Sequence, residues 1–299
     1  MSEYKMSIEV AKKRINQGSR VVKTKLGKME CVVKGEGPPI LIAHGNGGGY
    51  DQGLELAELY ISGGFKVLAP SRFGYLNTPL PTGMNASPMA QADAYVSLLD
   101  ELKIPRAVIL AVSDGGPSAL QFAIRHPERC VGLIMVAAKS SPPPKDTWLQ
   151  AIIFNSVLRT DYLYWNMTNK QRSLMLSVFG IPKEVQDKFT DDDKRMVSAV
   201  VDLMNPISYR KKGIFNDRKW MNNRTMRPED YPLQDIKAPT LVVHAVDDSL
   251  QPLFHGEYTA SNIPDAHFLK LESGGHFAAG HFEEVRTEIT AFLNRIYGI

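Results

Sequence analysis

Residues 106–125, RAVILAVSDGGPSALQFAIR, decide the fold, because an apolar run passes through small residues into an amphipathic helical pattern. A continuous apolar run that ends in glycines is typical of a strand buried on both faces of a parallel sheet. A sharp turn from strand to helix needs small residues two before and two after its apex, since the backbones approach closely there. Ala111 and Gly115 meet this need and put the side chain of Ser113 at the apex.

The same kind of continuous apolar run recurs along the chain and predicts an α/β protein. Further apolar strands are predicted to begin at Ile40, Phe65, Cys130, Pro239 and Ala266, and residues 20–34 form a hairpin pattern around Gly27. Helical patterns alternate with these strands, as in the residues that follow Ser87 and Pro88. Alternating strands and helices indicate a mostly parallel sheet flanked by helices.

One long stretch interrupts this alternation. Residues 140–235 contain no convincing core strand and look mainly helical, with a helix over 191–204 capped by Thr190. We therefore interpret the acidic run 191–193 as helix-start charge and not as a metal site. The predicted organisation is a core (1–139), a helical lid (140–235) and the rest of the core (236–299).

Aromatic and methionine side chains in this lid suggest an apolar acyl or alcohol group in the substrate. They are Trp148, Phe154, Tyr162, Tyr164, Trp165 and Met167. The alternative, that they only pack the lid onto the sheet, is equally open.

Composition excludes several classes of protein. The 299 residues are 43% hydrophobic and 22% charged, which is typical of a globular protein and not of a disordered or repetitive chain. With 35 basic and 32 acidic residues, the net charge of +3 does not indicate a nucleic-acid partner. No apolar run approaches the ~20 residues of a membrane span. The first residues lack a signal peptide's apolar stretch, and two cysteines, Cys31 and Cys130, suit a reducing compartment. We expect a cytoplasmic protein, and the oligomeric state is not predicted.

Two further strand ends carry residues that complement Ser113. HAVDDSLQP follows the strand TLVV and holds Asp247 and Asp248, and ESGGHFAAGH follows the strand AHFLKL and holds His276. A carboxylate beside an imidazole fixes its tautomer and stabilises its charged form. The order serine, acid, histidine is the one expected for a hydrolase with this strand–turn–helix serine. His281 is the alternative base, although it is predicted to begin the last helix.

Asp114 is the alternative nucleophile, but Val112 would then occupy a position that needs a small residue. We expect the backbone N–H of Asp114, and not its carboxylate, to help bind an oxyanion. The second oxyanion donor is predicted in residues 44–49, HGNGGG, where the backbone N–H of Asn46 faces the nucleophile. This loop lacks the G-K-[ST] ending of a phosphate cradle.

The other histidines are given no catalytic role. His44 is predicted to fix the loop 44–49 by hydrogen bonding, and His126, His255 and His267 are predicted surface or loop residues. No group of residues has metal-ligand spacing, so no metal and no cofactor are predicted.

Together these residues resemble the α/β-hydrolase fold family, and the resemblance covers essentially the whole chain. It rests on HGNGGG, AVSDGGP, HAVDD and GGH. It implies the α/β-hydrolase fold with a helical lid inserted after the sixth strand, and a catalytic triad of Ser113, Asp248 and His276. Asp248 is chosen because family members with an Asp-Asp pair at this turn usually use the second one. Asp247 would then point to solvent or cap the following turn.

Two departures from the family pattern stand out. Ala111 replaces the glycine with which the turn usually begins, and Ser71-Arg72 stands where the family more often has an aspartate before Arg-Gly.

The predicted function is a serine hydrolase that cleaves a carboxylic ester or related acyl bond of a small, apolar substrate through an acyl-enzyme. Within the family, the chain looks like lid-bearing serine esterases and peptidases, and like the carbon–carbon bond hydrolases of aromatic-ring degradation. A carbon–carbon bond hydrolase or a lactonase on the same triad is therefore the alternative. A non-catalytic ligand-binding or signalling protein is a further alternative, which the complete triad argues against.

Overall fold

A computed structural model of the protein describes residues 2–142, 158–221 and 226–299. Its centre is one eight-stranded sheet in the order β1-β2-β4-β3-β5-β6-β7-β8. The strands are β1 (Arg20–Thr24), β2 (Gly27–Lys34), β3 (Pro39–Ala43), β4 (Lys66–Pro70), β5 (Ala107–Val112), β6 (Cys130–Val136), β7 (Thr240–Ala245) and β8 (His267–Leu271). Strand β2 runs antiparallel to both of its neighbours, and β3 to β8 are mutually parallel. The mostly parallel sheet predicted from the sequence is confirmed.

Helices cover both faces of the sheet. The described helices are α1 (Glu3–Gln17), α2 (Tyr50–Tyr60), α3 (Pro88–Glu101), α4 (Gly116–Arg125), α5 (Asp161–Lys170), α6 (Arg172–Val178), α7 (Lys183–Gln186), α8 (Asp191–Asp202), α9 (Lys211–Trp220), α10 (Phe254–Asn262) and α11 (Phe282–Tyr297).

The core lies on the two sides of the central strands. Along β5, Val108 and Leu110 point into a cluster with α2 and α11, and Ile109 and Ala111 point into a cluster with α3 and α4. All six residues of β5 are buried. This double burial explains why the strand has a continuous apolar sequence and does not alternate with polar residues.

Between β6 and β7, the described residues 158–221 are helical and contain no strand. We call them the helical insertion. Thr190 caps α8 through a reciprocal capping box with Asp193, so the acidic run begins a helix, as predicted. Trp148 and Phe154 lie outside the described residues.

Within the three described ranges, no helix is both long and apolar enough to cross a membrane.

Candidate active site

Four loops meet at the carboxyl edge of the parallel strands. Asn46 follows β3, Ser113 follows β5, Asp248 follows β7 and His276 follows β8. In open α/β sheets this edge is where ligands bind. Two of these residues are buried: Ser113 is 7% exposed and His276 is 2% exposed.

Ser113 lies at the apex of the turn between β5 and α4. Its φ of 54° is in the left-handed region, where a residue with a side chain is strained. A Cβ on Gly115 would clash with the carbonyl oxygen of Ala43, and a Cβ on Gly116 would clash with that of Lys139. The turn therefore needs the small residues that the sequence has, and its strained position is Ser113 and not Asp114.

Asp248 and His276 form a buried pair. The Nδ1–H of His276 donates to Oδ2 of Asp248 at 2.8 Å. The other carboxylate oxygen of Asp248 accepts the backbone N–H groups of Leu250 and Gln251, both at 2.9 Å. The carboxylate is therefore fixed on both sides, and the pairing leaves Nε2 of His276 as the nitrogen free to take a proton.

A second histidine lies behind this pair. His244 Nε2 is 3.6 Å from Oδ2 of Asp248 and 2.6 Å from the carbonyl oxygen of Gln251. Burial lowers the pKa of His244, so its ring is neutral and Nε2–H donates to that carbonyl. His244 thus holds the turn that carries Asp248.

Asp247 has a different role from the one expected. Its carboxylate accepts the N–H groups of Gly275 at 2.8 Å and Gly274 at 3.2 Å. The expectation that Asp247 faces solvent or caps the following turn is wrong, since Asp248 caps that turn. Asp247 instead anchors the glycine loop that carries His276.

Two further histidines, His281 and His255, make no hydrogen bond to the pair in the described part of the chain. His281 precedes α11, and its Nδ1 is 2.9 Å from Glu284, so it is not in the site. The prediction that His255 is a surface or loop residue is wrong: it lies in helix α10 and is fully buried. Burial, followed by the charge of Lys139, lowers the pKa of His255 to about 3.

Residues 44–49 lie against Ser113, and we call them the oxyanion loop after the role predicted for Asn46. A Cβ on Gly45 would be 3.1 Å from Cβ of Ser113. His44 is buried, and its Nε2 accepts the backbone N–H of Arg72 at 2.9 Å. Its Nδ1–H must then donate to the carbonyl oxygen of Gly45 at 2.8 Å. Burial keeps the pKa of His44 well below the usual value, so the ring is a neutral structural strut, as predicted.

The side chain of Asp114 is turned to a buried lysine. Its Oδ1 is 2.8 Å from Nζ of Lys139 at the end of β6. Burial alone would raise the pKa of Asp114, but Lys139 and Arg72 bring it below the usual value. The carboxylate is thus occupied by an ion pair, which is consistent with a role for the backbone N–H only.

Sequence reasoning missed two buried ion pairs beside the oxyanion loop: Arg72 with Asp217, and Arg210 with Asp51. Asp217 lies on α9, and Arg210 immediately precedes α9. Charged residues scattered along a helix are usually solvated, so the local sequence pattern does not mark Asp217 and Arg210 as buried. Only the departure at Ser71-Arg72 pointed to this region.

At that departure, Ser71 contacts a buried carboxylate. The hydroxyl of Ser71 donates to Oε2 of Glu30 at 2.8 Å, and Glu30 is fully buried on β2. The side chain of Asn77 also donates to Glu30, at 2.7 Å. A buried carboxylate from the neighbouring strand therefore lies beside Ser71.

The helical insertion touches both ends of the site. The carbonyl oxygen of Gly180 accepts the backbone N–H of His276 at 3.1 Å. The side chain of Met204 fills the space where Gly47 lacks a Cβ.

Within the described residues, no group of three or more His, Cys, Asp or Glu side chains could hold a metal ion.

Comparisons with known proteins agree with this architecture. Residues 38–280 match the sequence profile of the alpha/beta hydrolase fold, and the chain belongs to this family. It is 27% identical over 267 residues to the uncharacterized hydrolase YcgS of Bacillus subtilis (strain 168), covering 84% of this chain and 88% of that one. It is 24% identical over 265 residues to 2-hydroxy-6-oxo-6-phenylhexa-2,4-dienoate hydrolase of Burkholderia cepacia, covering 86% and 87%.

A solved structure is also similar. An alpha/beta hydrolase fold protein from Nakamurella multipartita superimposes with a TM-score of 0.77 at 28% identity, covering 93% of this chain and 99% of that one. The family match and these relatives support hydrolase activity.

Proposed function

We propose that the protein is a serine hydrolase that cleaves a carboxylic ester or a related acyl bond through an acyl-enzyme. The observation that carries this proposal is the 2.8 Å contact between His276 Nδ1 and Asp248, in a site where Ser113 occupies a strained turn. A binding protein would have no need of an oriented imidazole at this place.

In the proposed mechanism, Nε2 of His276 takes the proton of the Ser113 hydroxyl as its oxygen attacks the substrate carbonyl. Asp248 keeps the imidazole in the tautomer with Nδ1–H and stabilises the imidazolium. The backbone N–H groups of Asn46 and Asp114 donate to the tetrahedral oxyanion. The imidazolium then protonates the leaving group, and a water molecule activated by His276 hydrolyses the ester on Ser113.

The lid proposal covers residues 140–235, and the helical insertion, residues 158–221, is the longest described part of it. Gly180 and Met204 support it, because they bring this segment against His276 and the oxyanion loop. A thioether over the loop favours an apolar substrate group.

The lid aromatics support this substrate less than the sequence suggested. Trp165 lies 5.5 Å from the ring of Tyr4, and Tyr162 lies 5.2 Å from it, so both pack on α1. The hydroxyl of Tyr164 donates to Val201 within the insertion at 2.9 Å. These three residues therefore make packing contacts with α1 and within the insertion, whereas the packing alternative expected contacts with the sheet.

A second candidate is hydrolysis of a carbon–carbon bond, which the Burkholderia cepacia relative favours. The compound in its name contains no ester or amide, and its 6-oxo carbon is bonded to carbon on both sides. Hydrolysis at that carbonyl must therefore break a carbon–carbon bond. The same serine, acid and histidine would serve, with a carbanion as the leaving group.

Two buried cysteines support the proposed cytoplasmic setting. Cys31 and Cys130 are both free, and burial raises the pKa of each thiol to about 12. Such thiols are poor nucleophiles at neutral pH. Free thiols are typical of a reducing compartment such as the cytoplasm.

A substrate panel tests the proposal. Short- and medium-chain nitrophenyl esters, lactones, thioesters and a ring-cleavage dienoate are assayed with the wild type and with Ser113→Ala. We expect ester turnover that increases with acyl apolarity and is lost in the variant. Turnover of the dienoate alone would favour the second candidate. Turnover of no substrate, or turnover that Ser113→Ala retains, would contradict both.

A further inference from the structure

Helix α9 and the residue before it reach the oxyanion loop at two points. The first point is Arg210, whose side chain is fully buried. Its Nη1 donates to the carbonyl oxygen of Gly48 at 2.6 Å. Its guanidinium also donates to both carboxylate oxygens of Asp51, at 3.0 and 2.7 Å. Arg210 thereby ties the far end of the loop, and the start of α2, to the insertion.

The second point is Asp217 on α9. Its two carboxylate oxygens accept Nη1 and Nη2 of Arg72, both at 2.7 Å. The same guanidinium also contacts the oxyanion loop. Its Nε donates to the carbonyl oxygen of His44 at 2.8 Å, and its Nη2 donates to that of Gly45 at 3.2 Å. Burial alone would lower the pKa of Arg72, but Asp217 raises it overall, so the guanidinium is always charged.

The carbonyl of Gly45 matters because it shares a peptide plane with the N–H of Asn46. In a planar trans peptide the C=O and the following N–H point in opposite directions. The Gly45 oxygen accepts from Nη2 of Arg72, from Nδ1–H of His44 and, at 3.3 Å, from the backbone N–H of Gly48. The direction of the Asn46 N–H is therefore set by the bonds on the oxygen behind it.

We propose that Asp217 is a positioning residue for catalysis: through Arg72 it orients the Gly45–Asn46 peptide, and with Arg210 it makes α9 a clamp on the oxyanion loop. This inference rests on the proposed function, in which the Asn46 N–H stabilises the oxyanion. It gives the insertion a part in assembling the site beyond covering it. A displacement of α9 would release both ends of the loop together.

A positioning role differs from a structural one in its kinetics. An oxyanion donor acts on the transition state, so misdirecting it lowers kcat and leaves KM nearly unchanged. Loss of one donor costs about 10²–10³-fold in kcat, and a misdirected donor should cost less. Asp217→Asn keeps the shape but removes the charge, and we expect kcat to fall about 10–100-fold with KM within about threefold.

Arg72→Lys is the second variant, because it keeps the buried ion pair but removes the planar fork that reaches two carbonyls. We expect the same kinetic pattern. Tyr164→Phe is the matched control, since it deletes a buried hydrogen bond within the insertion, to Val201, and touches no residue of the oxyanion loop. It should lower Tm without lowering kcat.

The experiment measures kcat and KM for a nitrophenyl ester, Tm, and inhibition by an alkyl boronic acid, whose tetrahedral adduct mimics the transition state. We expect boronate affinity to fall in proportion to kcat/KM in Asp217→Asn and Arg72→Lys. Wild-type kcat in either variant, or an equal loss of kcat in Tyr164→Phe, would overturn the inference. If Asp217→Asn does not fold, Arg72→Lys decides alone. Full turnover by Ser113→Ala, measured in parallel, would instead refute the proposed function.

Discussion

Asp247 and Asp248 are neighbours in sequence, yet they bind different parts of the loop that carries His276. Asp248 accepts from the imidazole ring of His276, and Asp247 accepts from the backbone of the two glycines before it. One carboxylate therefore sets the tautomer and the other sets the position of the loop. Their substitutions should have different consequences for turnover.

Asp248→Asn should fold and lose on the order of 10⁴-fold in kcat, because the amide no longer fixes the tautomer of His276. In Asp247→Asn only one amide oxygen remains for two N–H groups, so we expect about 1 kcal/mol lower stability and at most about tenfold lower kcat. Urea unfolding and ester kinetics on both variants check this. If Asp247→Asn were the inactive variant, the acid would be misassigned.

Among single residues, Ser113, Asp248 and His276 could be placed at strand ends from the sequence, because a catalytic triad requires these residue types. The ion pair of Arg72 and Asp217 could not be predicted. Its members are 145 residues apart, and a buried ion pair leaves no periodic pattern in the sequence. The catalytic roles themselves remain predictions.

The strand–turn–helix unit is the element on which the site depends. Gly115 lies so close to β3 that a Cβ there would clash with the carbonyl oxygen of Ala43. The close packing of α4 on β3 holds Ser113 in its strained conformation. The strain is therefore sustained by the surrounding backbone and not by Ser113 itself.

Gly115→Ala should move β3 and α4 apart, with a stability loss of about 1–3 kcal/mol and a large loss of kcat. Gly63→Ala is the matched control, since a Cβ there meets nothing within 4 Å. Thermal unfolding and ester turnover are measured for both. A Gly115→Ala variant with the Tm and kcat of the wild type would show that the close approach is not required.

Elements were well predicted where burial on both faces makes a strand continuously apolar, as in β5 and β7. The helix α8 was also found, because Thr190 and the acidic residues after it form a cap. The contacts of the insertion with the oxyanion loop were not predicted, since they depend on tertiary placement and not on local pattern.

Besides His276, three histidines are buried in the described part of the whole molecule: His44, His244 and His255. Burial lowers the pKa of each, in His255 to about 3. In the unfolded chain they would bind protons near pH ~6.5. Below this pH the unfolded state therefore binds more protons than the folded state. The contribution of these histidines to the free energy of unfolding is present above this pH and is lost as the pH falls.

We expect the free energy of unfolding to decline between roughly pH 6.5 and 5, by about 1.4 kcal/mol per pH unit for each histidine that protonates only on unfolding. His255→Asn should reduce this slope by about one proton. Tyr164→Phe destabilises without removing a group that titrates in this pH range, because burial raises the pKa of Tyr164 well above its usual value, and it should keep the wild-type slope. Urea titrations at several pH values test this, and an unchanged slope in His255→Asn would contradict it.

The most direct test of the account is covalent labelling of the native protein with a serine-directed fluorophosphonate, read by intact mass and peptide mapping. We predict one adduct per chain, on Ser113, formed together with loss of ester turnover, and no adduct in Ser113→Ala. His276→Ala should react far more slowly, because the hydroxyl then lacks its base. Labelling at another residue, or full turnover by the labelled protein, would contradict the account.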